Sequence, residues 1–180
     1  GGDAEPSWAY DAVRAREAHQ GTMGYGARVA LIDTGIAPHR GLIGAQIADQ
    51  RSFVLGEGVQ DGTGHGTASA GLVAGQGRPL WGIAPDAQIL VLKALNDAGT
   101  GSWAGVAAAL ESAQLDGADV AVLALGGPDR SGMLEDSLRA FVLSGGCPVV
   151  AAGNRGSNRL DYPGSSAYAI AAAAMDSGRH

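Results

Sequence analysis

The chain has 180 residues, 46% of them hydrophobic and 17% charged, with a net charge of −6. That length fits one domain with a substantial core, and an acidic balance without a basic stripe excludes a nucleic-acid surface. No apolar run reaches membrane-spanning length, and the single cysteine excludes an internal disulfide. The N-terminal stretch GGDAEPSWAYDAVR has neither the basic nor the apolar region of a signal peptide, which leaves the compartment open.

A first helix is expected over residues 11–19. Continuous apolar runs then occur at 27–33, 87–95, 118–125, 147–153 and 167–174. Runs without polar alternation suit strands buried on both faces of a parallel sheet. A helix is expected to begin near His65. Two more are expected at 102–115, with Trp103, Val106, Leu110 and Ala113 on one face, and at 131–144, with Leu134, Leu138, Phe141 and Val142 together. Alternating strands and helices predict an α/β sheet covered on both sides. Cys147 reads as a buried thiol acting as a small hydrophobe.

In such sheets the chemistry gathers at the carboxyl ends of the strands. Asp33 ends the first run, Leu125, Gly126 and Gly127 end another, and Asn154 ends a third. His65 sits among glycines in DGTGHGTASAGLVAG, where backbone and ligand can approach closely. Aspartate, histidine and a side-chain amide on one edge fit acyl transfer: a base, its orienting carboxylate and an oxyanion donor. Each residue also has a plain reading. Asp33 can cap its own turn, His65 can bond a carbonyl at a helix start, and Asn154 can form a turn.

The segments VALIDTGI, GHGTASAGLVAG, GIAPDAQILVLKAL, ALGGP and AAGN, in this order, resemble the subtilisin-like serine protease family over about residues 26–176. The resemblance implies an α/β, subtilisin-like three-layer fold with a mostly parallel sheet, in a single domain over 1–180 that lacks the C-terminal part. It implies that Asp33 orients, His65 is the base and Asn154 donates to the oxyanion. It also implies a groove for an extended peptide or protein substrate, between residues 99–103 (Gly99, Gly101, Trp103) and 124–127 (Leu125, Gly126, Gly127), beside Gly153. Strand addition of that kind needs no nucleophile. Trp103 can floor an apolar subsite or pack into the core.

The family's serine lies in a GTSMA-like segment downstream of the asparagine. This chain has GTM, GTG twice and GTA, and no GTS. Ser165 and Ser166 read as loop residues. The sequence is therefore read as a protease-like, non-catalytic peptide-binding protein. The alternative is the front part of an active endopeptidase whose Asp-His-Ser triad is completed by a missing segment. Without the family's serine-bearing helix, residues of VALI, LVLK, AVLAL and PVVAA are expected to expose apolar surface, covered by a second copy or a partner protein. No cofactor and no metal are expected: VAGQGRPLWGIAP carries no carboxylate, and His39 reads as a surface histidine. A weak dinucleotide fingerprint, G-x-G-x-x-A in GTGSWA, is a reading from another class.

Overall fold

A computed structural model describes residues 8–77, 80–156 and 158–174. The N-terminal stretch forms two short helices, α1 (Trp8–Ala12) and α2 (Ala15–Ala18), in place of the one expected. Arg14 separates them in the left-handed conformation, φ 55°, which a helix cannot continue through.

Six strands make one parallel sheet: β1 (Arg28–Asp33), β2 (Gln46–Ser52), β5 (Gln88–Lys93), β6 (Val120–Leu123), β7 (Cys147–Ala151) and β8 (Ile170–Ala172). Their order is β2-β5-β1-β6-β7-β8. A small antiparallel pair, β3 (Gln76–Gly77) and β4 (Leu80–Trp81), follows helix α3 (His65–Ala74). Helix α4 (Trp103–Leu115) links β5 to β6, and α5 (Gly132–Leu143) links β6 to β7. Serine caps both: Ser102 accepts from the Gly105 N–H at 3.1 Å, and Ser131 from the Leu134 N–H at 3.3 Å.

Odd and even strand positions divide the core. Ala30, Ile32, Leu90, Leu92, Ala121 and Leu123 face α4 and α5, against Val106, Leu110, Leu134, Leu138 and Phe141. Val29, Leu31, Ile89 and Val91 face α3, against Ala70 and Ala74. Val142, expected with its neighbours on the buried face of α5, is 38% exposed. It sits one position beyond Phe141, about 100° further round the helix.

Strand β2 escaped the sequence reading because QIADQRS is no apolar run. As an edge strand it alternates half-buried and exposed positions over most of its length. At the other edge the expectation fails in the opposite sense, since every residue of β8 is exposed. One cross-strand row shows the trend. Leu31, Val122, Val149 and Ile170 are register partners in turn. Leu31 is wholly buried, Val122 and Val149 are half-buried, and Ile170 is 58% exposed. The α3-side face is thus open over β6, β7 and β8. VALI and LVLK, also expected to be bare, are buried. Cys147, expected to be buried, is half-buried on this open side of the sheet.

The chain steps from β1 out to β2, returns to β5, and then crosses β1 to reach β6. Ligand crevices form outside the carboxyl ends of strands at such a reversal. Among the described residues no helix is long and apolar enough to cross a membrane.

Candidate active site

Asp33 ends β1 with its side chain 1% exposed. Its Oδ1 accepts from the Thr34 N–H at 2.7 Å and lies 2.7 Å from Nδ1 of His65. A carboxylate only accepts, so the ring donates through Nδ1 and keeps its lone pair on Nε2. The His65 side chain is 55% exposed, and among the described residues Nε2 has no hydrogen-bond partner.

His65 is the first residue of α3, and its N-cap, Gly64, has no side chain to cap with. Asp61 replaces the cap from outside the helix. Its Oδ1 accepts from the N–H groups of Thr63 and Gly64 and from the hydroxyls of Thr34 and Thr63. Its Oδ2 accepts from the Thr67 N–H at 2.8 Å and the Thr67 hydroxyl at 2.6 Å. Thr34 closes the network, because its Oγ1 also accepts from the Gly66 N–H at 2.9 Å. The turn carrying Asp33 and the helix start carrying His65 are therefore one hydrogen-bonded body.

Burial opposes the charged form of Asp61, but the hydrogen bonds from Thr67, Thr34 and Gly64 outweigh it and hold the carboxyl well below the usual carboxylate range. A group lowered in the folded state stabilises in full above its unfolded pKa of about 3.9, and that stability drains as pH falls further. Asp61→Asn is expected to lose about 1.5 kcal/mol at pH 7, at the low end for hydrogen bonds to a charge because solvent reaches the group. The gap to the parent should narrow below about pH 4. Denaturant melts at neutral and acid pH check this. A constant gap would mean that the carboxylate's charge is not what holds the loop.

A cavity of about 840 Å3 lies at the strand ends. His65 lines it together with residues 98–101, Trp103, residues 124–128, Gly153 and Asn154. The residues expected from sequence to act in catalysis or to line the groove thus share one cavity, except Asp33, which stands behind His65. Trp103 lines the cavity and also packs against the core, where it meets the Tyr162 ring edge-on, centroids 5.3 Å apart. A second hollow of about 570 Å3, beside Ile36, Leu42 and Ile43, includes neither Asp33 nor His65 in its lining.

Two groove positions differ from expectation. Gly127 exchanges both backbone hydrogen bonds with Tyr162, at 2.8 and 2.9 Å, so its edge is already taken. Gly99 is folded into a closed turn and donates its N–H to Asn96 O at 2.8 Å. Among the described residues Gly101, Leu125 and Gly126, which also line the cavity, make no such loop bond. Residues 94–102 separate β5 from α4, so the direct strand-to-helix turn of a dinucleotide fingerprint is absent.

Ser166 is buried and donates to Glu135 at 3.1 Å, and neither it nor Ser165 lines the cavity. His39 is exposed and accepts from the Gly41 N–H at 3.1 Å. Among the described residues no group of three or more His, Cys, Asp or Glu side chains is placed to hold a metal ion. The sequence reading missed Thr34, Thr63 and Thr67 as partners of Asp61. It also missed Arg155 and Asp161, which line the cavity and pair at 2.9 Å. The one available signal was an aspartate four residues before the histidine, placed to cap its helix.

The subtilase family model matches residues 24–180. Subtilisin Savinase of Lederbergia lenta is 39% identical over 173 residues, which cover 94% of this chain and 63% of that protein. An alkaline protease of Alkalihalobacillus alcalophilus is also 39% identical over 173 residues, covering 94% and 45%. Subtilisin DY of Bacillus licheniformis is 37% identical over 169 residues, covering 89% and 61%. The chain thus spans from under half to under two thirds of the length of these relatives.

Proposed function

The chain belongs to the subtilase family, and on that premise we propose that its cavity holds an extended peptide against His65, the general base of a serine endopeptidase centre. The observation that carries this is the Nε2 of His65, beside the cavity and without a partner among the described residues, with a buried carboxylate 2.7 Å behind the other ring nitrogen. That arrangement takes a proton from a hydroxyl and stabilises the imidazolium that results. Asn154 lines the same cavity and is the candidate donor to the oxyanion. The peptide backbone adds as a strand along Gly101 on one side and Leu125 and Gly126 on the other. On this reading the Asp-His-Ser triad is completed by a serine of a further segment.

A second reading, peptide holding without cleavage, is favoured by one observation: no serine lines the cavity among the described residues. Both readings require the same groove, so the groove is what to test first. A peptide ending in a chloromethyl ketone is expected to alkylate His65, forming a bond from Nε2 to the methylene carbon as chloride leaves. This needs no serine. Gly126→Val should slow the labelling at least about tenfold, roughly the loss of one backbone hydrogen bond and its contact. A β-carbon there would stand 3.3 Å from Tyr162 O and 3.4 Å from Asp161 Cβ, so the labelling is compared at a temperature where a melt shows the variant folded. Peptide mapping that finds equal label on His19 and His39, or no effect of the valine, would refute the groove.

A further inference from the structure

Lys93 lies in the middle of an apolar stretch, LVLKAL, yet its side chain is wholly buried. In the parallel ladder it is the register partner of Asp33. Its ammonium donates to Thr34 O at 2.7 Å, to Gln60 O at 3.1 Å and to Asp97 Oδ1 at 2.8 Å, and Glu57 Oε2 lies 3.2 Å away. These partners sit on different segments. Thr34 is the residue after Asp33. Gln60 precedes Asp61, the outside cap of the helix that begins with His65. Asp97 belongs to the turn that leads into the groove edge at Gly101, and its Oδ1 also accepts from the Gly62 N–H at 3.1 Å.

We propose that Lys93 is a positioning residue that sets His65 against Asp33 and ties both to the groove edge; this rests on reading Asp33 and His65 as the base pair of the site. A buried ion pair is weak evidence for stability, since well-packed apolar groups in place of the whole pair often do as well, although removing one partner alone is costly. The ammonium adds direction instead. Its three protons point at two main-chain carbonyls and one carboxylate, and this fixes the spacing of the two loops from below. The threonines and Asp61 join the same loops by side-chain hydrogen bonds. Lys93 joins them through the backbone, where rotamer freedom cannot relax the distance.

The test follows the proton on Nδ1 of His65, whose low-field resonance in 15N-edited NMR reports the bond to Asp33. Lys93→Met keeps the length and removes the donors. It is expected to lose that resonance under conditions where the amide spectrum shows a folded chain. Asp97→Ala removes a partner whose side chain is 56% exposed and leaves the core untouched. It should speed exchange of the Nδ1 proton with water about tenfold, as an easier local opening does. Leu138→Ala, a destabilising change in α5, should leave both readouts unmoved.

A folded Lys93→Met chain with an unchanged resonance overturns the proposal, as does a Leu138→Ala chain that moves it equally. If Lys93→Met does not fold, Asp97→Ala decides, and unchanged exchange there overturns the proposal. The chloromethyl ketone labelling is read separately. A resonance that responds in a chain that is not labelled leaves the positioning role standing and removes the functional reading. Labelling with an unresponsive resonance does the reverse.

Discussion

Replacing Gly66 with alanine is expected to destabilise the fold by about 3 kcal/mol, the upper part of the overpacking range. Gly66 is the second residue of α3, and its N–H donates to Thr34 Oγ1. A β-carbon would run into the carbonyl oxygen and nitrogen of Gly35, with Thr34 Oγ1 also in its way. Backbone atoms cannot swing aside as a side-chain tip can. Either the helix start or the Asp33 turn must move, and the Asp33–His65 bond spans the two. The low-field His65 resonance should be lost with the stability. Gly64→Ala is the contrast. Its φ is +83°, but a β-carbon there would meet nothing. It should cost only about 1–2 kcal/mol of left-handed strain and keep the resonance. Thermal melts of the two variants check the ranking. Equal losses would mean that backbone contact between helix and turn is not what Gly66 provides.

The parallel sheet was legible because β1 and β5 are buried on both faces, so their sequences are continuous apolar runs. Edge strand β2 was illegible for the converse reason. The run at 167–174 misled because small apolar residues tolerate exposure as readily as burial, and β8 lies at the open edge. Asp33, His65 and Asn154 were legible as strand-end and helix-start residues whose chemistry fits together. What remained hidden was how they are held. Thr34, Thr63 and Thr67 look like ordinary loop and helix residues until Asp61 gathers them. Lys93 looks like an interruption of a strand until its partners appear from three segments. The closed edges at Gly99 and Gly127 depend on Asn96 and Tyr162, and the second of these lies 35 positions further along the sequence. Local pattern names the candidate groups of the site. The supporting bonds are long-range and have no period.

In a peptide-cleaving preparation of this protein, Asp33→Asn is expected to lower kcat/KM on the order of 10,000-fold, the size seen when a serine-protease aspartate is changed this way. The geometry gives the reason. Oδ1 already accepts from the Thr34 N–H and from His65, whereas Oδ2 is buried without a hydrogen-bond partner among the described residues. An asparagine can keep its oxygen at the Oδ1 position. It then buries an unpaired NH2 at the Oδ2 position and removes the charge that stabilises the imidazolium. Alternatively it can flip. It then sets an NH2 against both the Thr34 N–H and Nδ1, and drives the ring to the tautomer whose Nε2 carries the hydrogen. In the first case His65 is a weaker base at the transition state, and in the second it is not a base at all. KM should change little, because Asp33 stands behind His65 and does not line the cavity. Steady-state kinetics on an extended peptide substrate are the check. A loss within about tenfold, or one carried mainly by KM, would show that His65 does not work through Asp33.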